Sequence, residues 1–154
     1  MICDLINILD TLKKKQRLMG LDIGTKTIGL ALSDFTLTIA SPMETIIRKK
    51  FTPDIEKILG YMKEHNAGGF VMGLPINMDG SEGPKCQSIR QFAKNLEKLT
   101  PLAISFWDER WSTKAVTRTL IEADTSRTRR KEVIDKMAAS YILQGALDRL
   151  KRQS

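Results

Sequence analysis

One histidine, two cysteines and two tryptophans in 154 residues leave little material for several kinds of chemistry. A Ser-His-Asp triad, a Cys-His pair or a poly-His metal site would have to be built around His65 alone. That residue sits at the polar end of a helix-like stretch, just before Asn66-Ala67-Gly68-Gly69, where a cation near a helix C-terminus accounts for it. Cys3 and Cys86 form no CxxC or Cys/His cluster, which argues against a structural zinc framework and a disulfide scaffold and fits a reducing cytoplasm. No apolar run approaches the roughly 20 residues of a membrane span. The apolar ICDLINIL precedes its lysines and has no small-residue cleavage site after it, the reverse of a secretory signal.

What is present suits one domain with a sizeable core: 42% hydrophobic and 28% charged residues, without low-complexity sequence or internal repeats. Residues 1–16 read as an N-terminal extension, helical or disordered, with Ile2, Leu5, Ile6, Leu9 and Leu12 at helical spacing. Residues 17–154 form the expected domain. Three short apolar segments, LMGLDIG, TIGLALSD and TLTIASPMETI, open it as an antiparallel meander. A helix over about 53–65 follows, with Thr52 as its cap and Pro53 at its first position. GFVMGLP is a buried strand, INMDGSEGP a loop, about 84–99 a second helix, and LAISFW a fifth strand. A third helix runs from Ser112 or Thr113 to about Ala123, then an arginine-rich loop, then a last helix over about 131–150. This order implies an α/β fold: a five-stranded mixed sheet with helices on both faces.

Three carboxylates stand out against that pattern. Asp22 interrupts an apolar strand, where an unpartnered acid is costly. Asp108-Glu109 ends the fifth strand, at the strand ends where open α/β sheets place ligands. Asp135 shares a face of the last helix with Ala138, Ala139 and Ile142. Acids from three elements meeting at one sheet edge make a hard-oxygen site suited to Mg²⁺ or Mn²⁺, and two such ions can serve phosphodiester hydrolysis, one activating water and one stabilising the leaving oxygen. Each alone has a structural reading: a turn cap for Asp22, a pair with Arg110 for Glu109, a pair with Lys131 for Asp135.

The net charge of +7 is uneven, with 11 basic and five acidic side chains in residues 110–154 against 14 and 13 in residues 1–109. Arg110, Arg127, Arg129 and Arg130, beside the acidic site, suit a phosphate track, and Lys26 at the first hairpin is a further candidate contact. Trp107 and Trp111 flank the DER segment and could stack bases, though core packing suits Trp107 better.

Together GLDIGTKTIGLALSD, GLPINMDGSEGP, WDERWST and IDKMAASYILQGALD resemble the YqgF family of ribonuclease H-like Holliday junction resolvases and pre-16S rRNA nucleases, over the chain from about Arg17 onward. The resemblance implies a ribonuclease H-like core, a cytoplasmic protein and a metal-dependent endonuclease acting in 5′-end maturation of pre-16S rRNA, on pre-ribosomal particles or on branched DNA. It places the family's acidic residues on Asp22, on Asp108-Glu109 and on Asp135, with Glu109 preferred as second ligand and Asp108 in reserve. In the GLPINMDGSEGP signature, Asn77, Asp79, Gly80 and Ser81 either order a substrate-facing loop or simply connect strand to helix. Structured RNA and four-way DNA are both open as substrates, as are monomer and homodimer; two symmetric cuts would call for two sites. A weakly active nucleic-acid-binding factor is a third reading. An actin-like ATPase, suggested by DIGT near a hairpin, needs two such domains, and 154 residues supply one.

Overall fold

The expected meander is present in a computed structural model that describes residues 1–111 and 127–153, with side chains placed for residues 1–110 and 137–152. Strand β1 (Arg17–Ile23) pairs antiparallel with β2 (Thr27–Ser33), and β2 with β3 (Ala40–Ile47). Helix α1 (Phe51–Glu64) then leads to β4 (Ala67–Leu74), which lies parallel to β1. Helix α2 (Pro84–Glu97) leads to β5 (Ala103–Asp108), parallel to β4, and the sheet order is β3-β2-β1-β4-β5. The last helix, α3, spans Arg127–Gln153. Every residue of β4 is buried, as a parallel strand covered on both faces requires.

Alternation along β1 sorts the two cores. Met19, Leu21 and Ile23 face α1 and α2, joining Ile55, Ile58, Ile89, Phe92 and Leu96 in one cluster. Leu18 and Gly20 face α3: Leu18 joins Ile142, Leu143, Ala146 and Leu147, and a Cβ on Gly20 would stand 2.7 Å from that of Leu143. Gly20 is therefore where the helix backbone comes down onto the sheet. Leu147 and Leu150 cluster with Leu18 at the start of β1 while Ala139 lies at Gly20, so α3 runs with its N-terminal end toward the carboxyl edge of β1.

Two boundaries differ from expectation. Helix α1 begins at Phe51, one residue before the expected Thr52 cap, and its N-cap is Lys50, with no side-chain cap. Asp54 instead accepts the Lys49 amide at 3.1 Å from inside the first turn. Arg127, Arg129 and Arg130, expected in a loop, lie in the first turn of α3, which starts four residues before the expected Lys131, because nothing among these long-chain residues opposes helix formation. The helix expected over about 112–123 lies outside the described residues.

The N-terminal segment packs. A 3₁₀ helix, Leu5–Thr11, buries Ile8 completely beside Leu18 and Ala103. Ahead of it the Cys3 amide donates to the Ile104 carbonyl at 2.9 Å and the Ile104 amide to Met1 at 2.8 Å, extending the sheet past β5. Among the described residues no helix is long and apolar enough to cross a membrane.

Candidate active site

Strand register brings the first two carboxylates together. Asp22 pairs with Gly29 on β2, and since Leu21 is level with Met72, Asp22 is level with Gly73 on β4. The residue is thus flanked across both neighbouring strands by glycines, and on the β4 side the space a side chain would take is filled by Ile142 of α3 and by Glu109. Above Gly73 lies Glu109, in the short 3₁₀ turn after β5, with its carboxyl carbon 3.1 Å from where a Gly73 Cβ would be. Neighbouring strands are about 4.8 Å apart, so the two half-buried acids occupy adjacent positions on one face. Two neighbouring carboxylates supply the hard oxygen donors that a divalent cation takes.

Asp108 is engaged differently. Its carboxylate accepts Arg110 Nη2 at 2.7 Å and Nε at 3.0 Å, and its Oδ1 also accepts the Arg110 amide at 3.0 Å. A bidentate arginine pair of this kind fixes both groups. The same guanidinium reaches the Met78 carbonyl at 3.4 Å, so Arg110 ties the end of β5 to the loop between β4 and α2. The sequence suggests Arg110 as a substrate contact; in the structure it holds Asp108 and this loop.

The loop is ordered by its own side chains. Asp79 Oδ1 accepts the Ser81 hydroxyl at 2.6 Å and its amide at 2.9 Å, which holds the Asp79 carboxyl below its ordinary range. Asn77 donates to the Ser81 hydroxyl at 3.0 Å, and Gly80 takes φ 90°, a turn conformation suited to glycine. Glu82 accepts Arg90 at 2.6 and 2.8 Å, a pair that lowers the Glu82 pKa, while Arg90 lies 4.9 Å from the centre of the Phe106 ring.

Lys26 is exposed at the β1–β2 hairpin, whose turn closes through the Gly24 amide and the Thr27 carbonyl at 2.9 Å. Trp107 is in the core against α3, as its expected packing role requires. Trp111 and the side chains of Asp135, Arg127, Arg129 and Arg130 lie outside the described residues; the helix backbone puts position 135 one turn before Ala139, toward the Asp22 edge. Among the described residues, no three acidic, histidine or cysteine side chains gather into a metal site. Burial pushes the Cys86 thiol up, away from nucleophilic use.

Arg48 is the residue that sequence reasoning missed. Its Nη1 donates to the Gly24 carbonyl at 2.6 Å and its guanidinium lies 5.5 Å from the centre of the Phe92 ring, bracing the hairpin that follows Asp22. The only signal was the tribasic Arg48-Lys49-Lys50 after the third strand.

Known proteins agree with this architecture. A protein of Paramagnetospirillum magneticum named "Putative pre-16S rRNA nuclease" is 61% identical over 141 residues, 92% of this chain and 91% of its own. One of the same name from Ruegeria pomeroyi is 55% identical over 152 residues, 98% of this chain and 99% of its own. Among solved structures, Thermus thermophilus RuvC in complex with a Holliday junction substrate superposes with a TM-score of 0.51 at 9% identity, covering 88% of this chain and 96% of that one, a likeness of fold. The ribonuclease H-like core is thereby confirmed. A family profile described as RuvX, Holliday junction resolvase, matches residues 16–149, and with relatives 55–61% identical along most of their length the chain belongs to the RuvX family.

Proposed function

We propose that this protein is a divalent-metal-dependent endonuclease that hydrolyses phosphodiester bonds in ribosomal RNA precursors, acting in the cytoplasm in 5′-end maturation of pre-16S rRNA, the precursor its relatives are named for. The observation that carries the reading is the approach of Asp22, on β1, and Glu109, in the turn after β5, to either side of Gly73 on the intervening strand β4. Asp135, on the helix that descends toward this edge, is the third acid of the proposed set. Asp22, Glu109 and Asp135 would hold Mg²⁺ or Mn²⁺, which when bound supplies water activation and neutralises charge developing on the phosphate.

The chain's own residues do the rest. Gly73, without a side chain, lets the Glu109 carboxyl settle over β4 next to Asp22. The Asp108–Arg110 pair turns Asp108 away from ligand duty, presents Glu109 and anchors the Asn77–Ser81 loop beside it. The N-termini of α1 and α2 open at the same edge, and helix N-termini favour anions. Lys26 and the arginines of the first turns of α3, Arg127, Arg129 and Arg130, contact the backbone to either side of the cut.

The test is cleavage of a precursor ribosomal RNA fragment and of a four-way DNA junction with Mg²⁺ or Mn²⁺. Cutting of the RNA that stops on adding chelator is expected. Cutting of the junction alone would make the protein a resolvase, and cutting of neither would make it a binding factor.

A further inference from the structure

We infer that Lys49 and Lys50, with Lys26, form a second phosphate-binding rim that holds structured RNA at the hairpin that follows Asp22; this rests on the nuclease reading above. Strand β3 ends at Ile47, whose partner is Thr27, so the segment that follows comes out beside the β1–β2 hairpin at the carboxyl edge of β1. The Arg48 amide donates to the Lys26 carbonyl at 2.8 Å and its side chain to Gly24, which joins the two segments into one surface. The Lys49 amide is pinned by Asp54, and Lys50 caps α1. The backbone of the rim is therefore fixed, and what varies is three exposed ammonium groups.

Charge distinguishes these lysines from ordinary solvated ones. Lys57, one turn into α1, is paired with Glu44 at 3.7 Å. Among the described residues, Lys26, Lys49 and Lys50 have no such ion pair, and Asp54, the acid nearest Lys50 in sequence, is buried and turned to the Lys49 amide. Three unneutralised cations beside the proposed cutting site, on a rigid base, suit the evenly spaced phosphates of a duplex arm.

The experiment is binding of a fluorescently labelled RNA stem-loop, in chelator so that nothing is cut, across a series of salt concentrations. Each phosphate contact adds about 0.9 to the slope of log affinity against log salt for a duplex. Lys49→Gln with Lys50→Gln is expected to flatten the slope by nearly 2, on the order of two lost contacts. Lys63→Gln with Lys98→Gln removes the same charge at the far ends of α1 and α2 and should leave the slope unchanged. In cleavage assays the rim variant should raise KM and spare kcat. An unchanged slope in the rim variant, or an equal loss in the control pair, overturns the rim and leaves the nuclease reading standing. A parent protein that binds no stem-loop at any salt overturns both.

Discussion

Asp22 was conspicuous as a residue because an acid inside an apolar strand needs a reason, and the register supplies one: glycine on each side and Glu109 overhead. Both acids were legible in the sequence. The assignment of Asp108 was not, because two adjacent acids at a strand end look alike until the chain direction shows that one turns to Arg110 and the other over the sheet. Arg48 was hidden for a different reason, since it acts on a backbone carbonyl 24 positions away and leaves no spacing to read. A residue-scale prediction concerns Asp34, whose carboxylate accepts the Thr36 hydroxyl and the Ile39 and Thr38 amides and is held below its ordinary value of 3.8 by those bonds. A depressed carboxyl stabilises above its unfolded pKa and loses that contribution as pH falls through the folded value. The Tm difference between the parent and Asp34→Asn should therefore be full at pH 5 and above and shrink below about pH 3.8. A difference that grew on acidification would contradict this.

Elements were read well where one periodicity held. Five strands and their order of appearance followed from apolar runs broken by turn residues, and α2 from its Pro84 start. Ends were less legible: α1 starts without a side-chain cap, and α3 extends through arginines whose charge suggested a loop. The contact between α3 and the sheet makes a sharper prediction. An alanine at Gly20 would meet Leu143 Cβ at 2.7 Å and the Ala139 carbonyl at 2.9 Å, so the helix itself must shift. At Gly73 the nearest atoms are Ile142 Cδ1 at 2.6 Å and Cγ1 at 2.9 Å, then the Glu109 carboxyl carbon at 3.1 Å, all side-chain atoms that can turn aside without moving the helix backbone. Gly20→Ala should lower stability by about 1–3 kcal/mol, the usual cost of overpacking, and more than Gly73→Ala does. Gly73→Ala should instead cost mainly activity, by pushing Glu109 off its place beside Asp22. Urea unfolding and cleavage rates of the two variants check the split; equal losses in both assays would sink it.

For the molecule as a whole, the first dozen residues were the least legible part, since an amphipathic segment can pack, dimerise or fray. Their packing is set by Ile8, which has no exposure and fills the space under α3 beside Leu18 and Val71. Ile8→Ala should cost about 2–4 kcal/mol, as truncation of a buried isoleucine does, within one cooperative unfolding transition. Two separated transitions, or no loss, would show that the segment is not part of the core. The +7 charge acts at the same scale, drawing polyanions to an edge where β1, β5 and the start of α3 converge. The claim on which the rest depends is that Asp22 and Glu109 act as a pair there. The most direct measurement compares cleavage by Asp22→Asn, Glu109→Gln and Asp108→Asn on the same substrate at saturating Mg²⁺ or Mn²⁺. Loss of at least about a thousandfold in kcat is expected for the first two, the order seen when a central catalytic group is removed, with a smaller loss for Asp108→Asn. Asp22→Asn cutting as fast as the parent, or Asp108→Asn falling as far as Glu109→Gln, would contradict it.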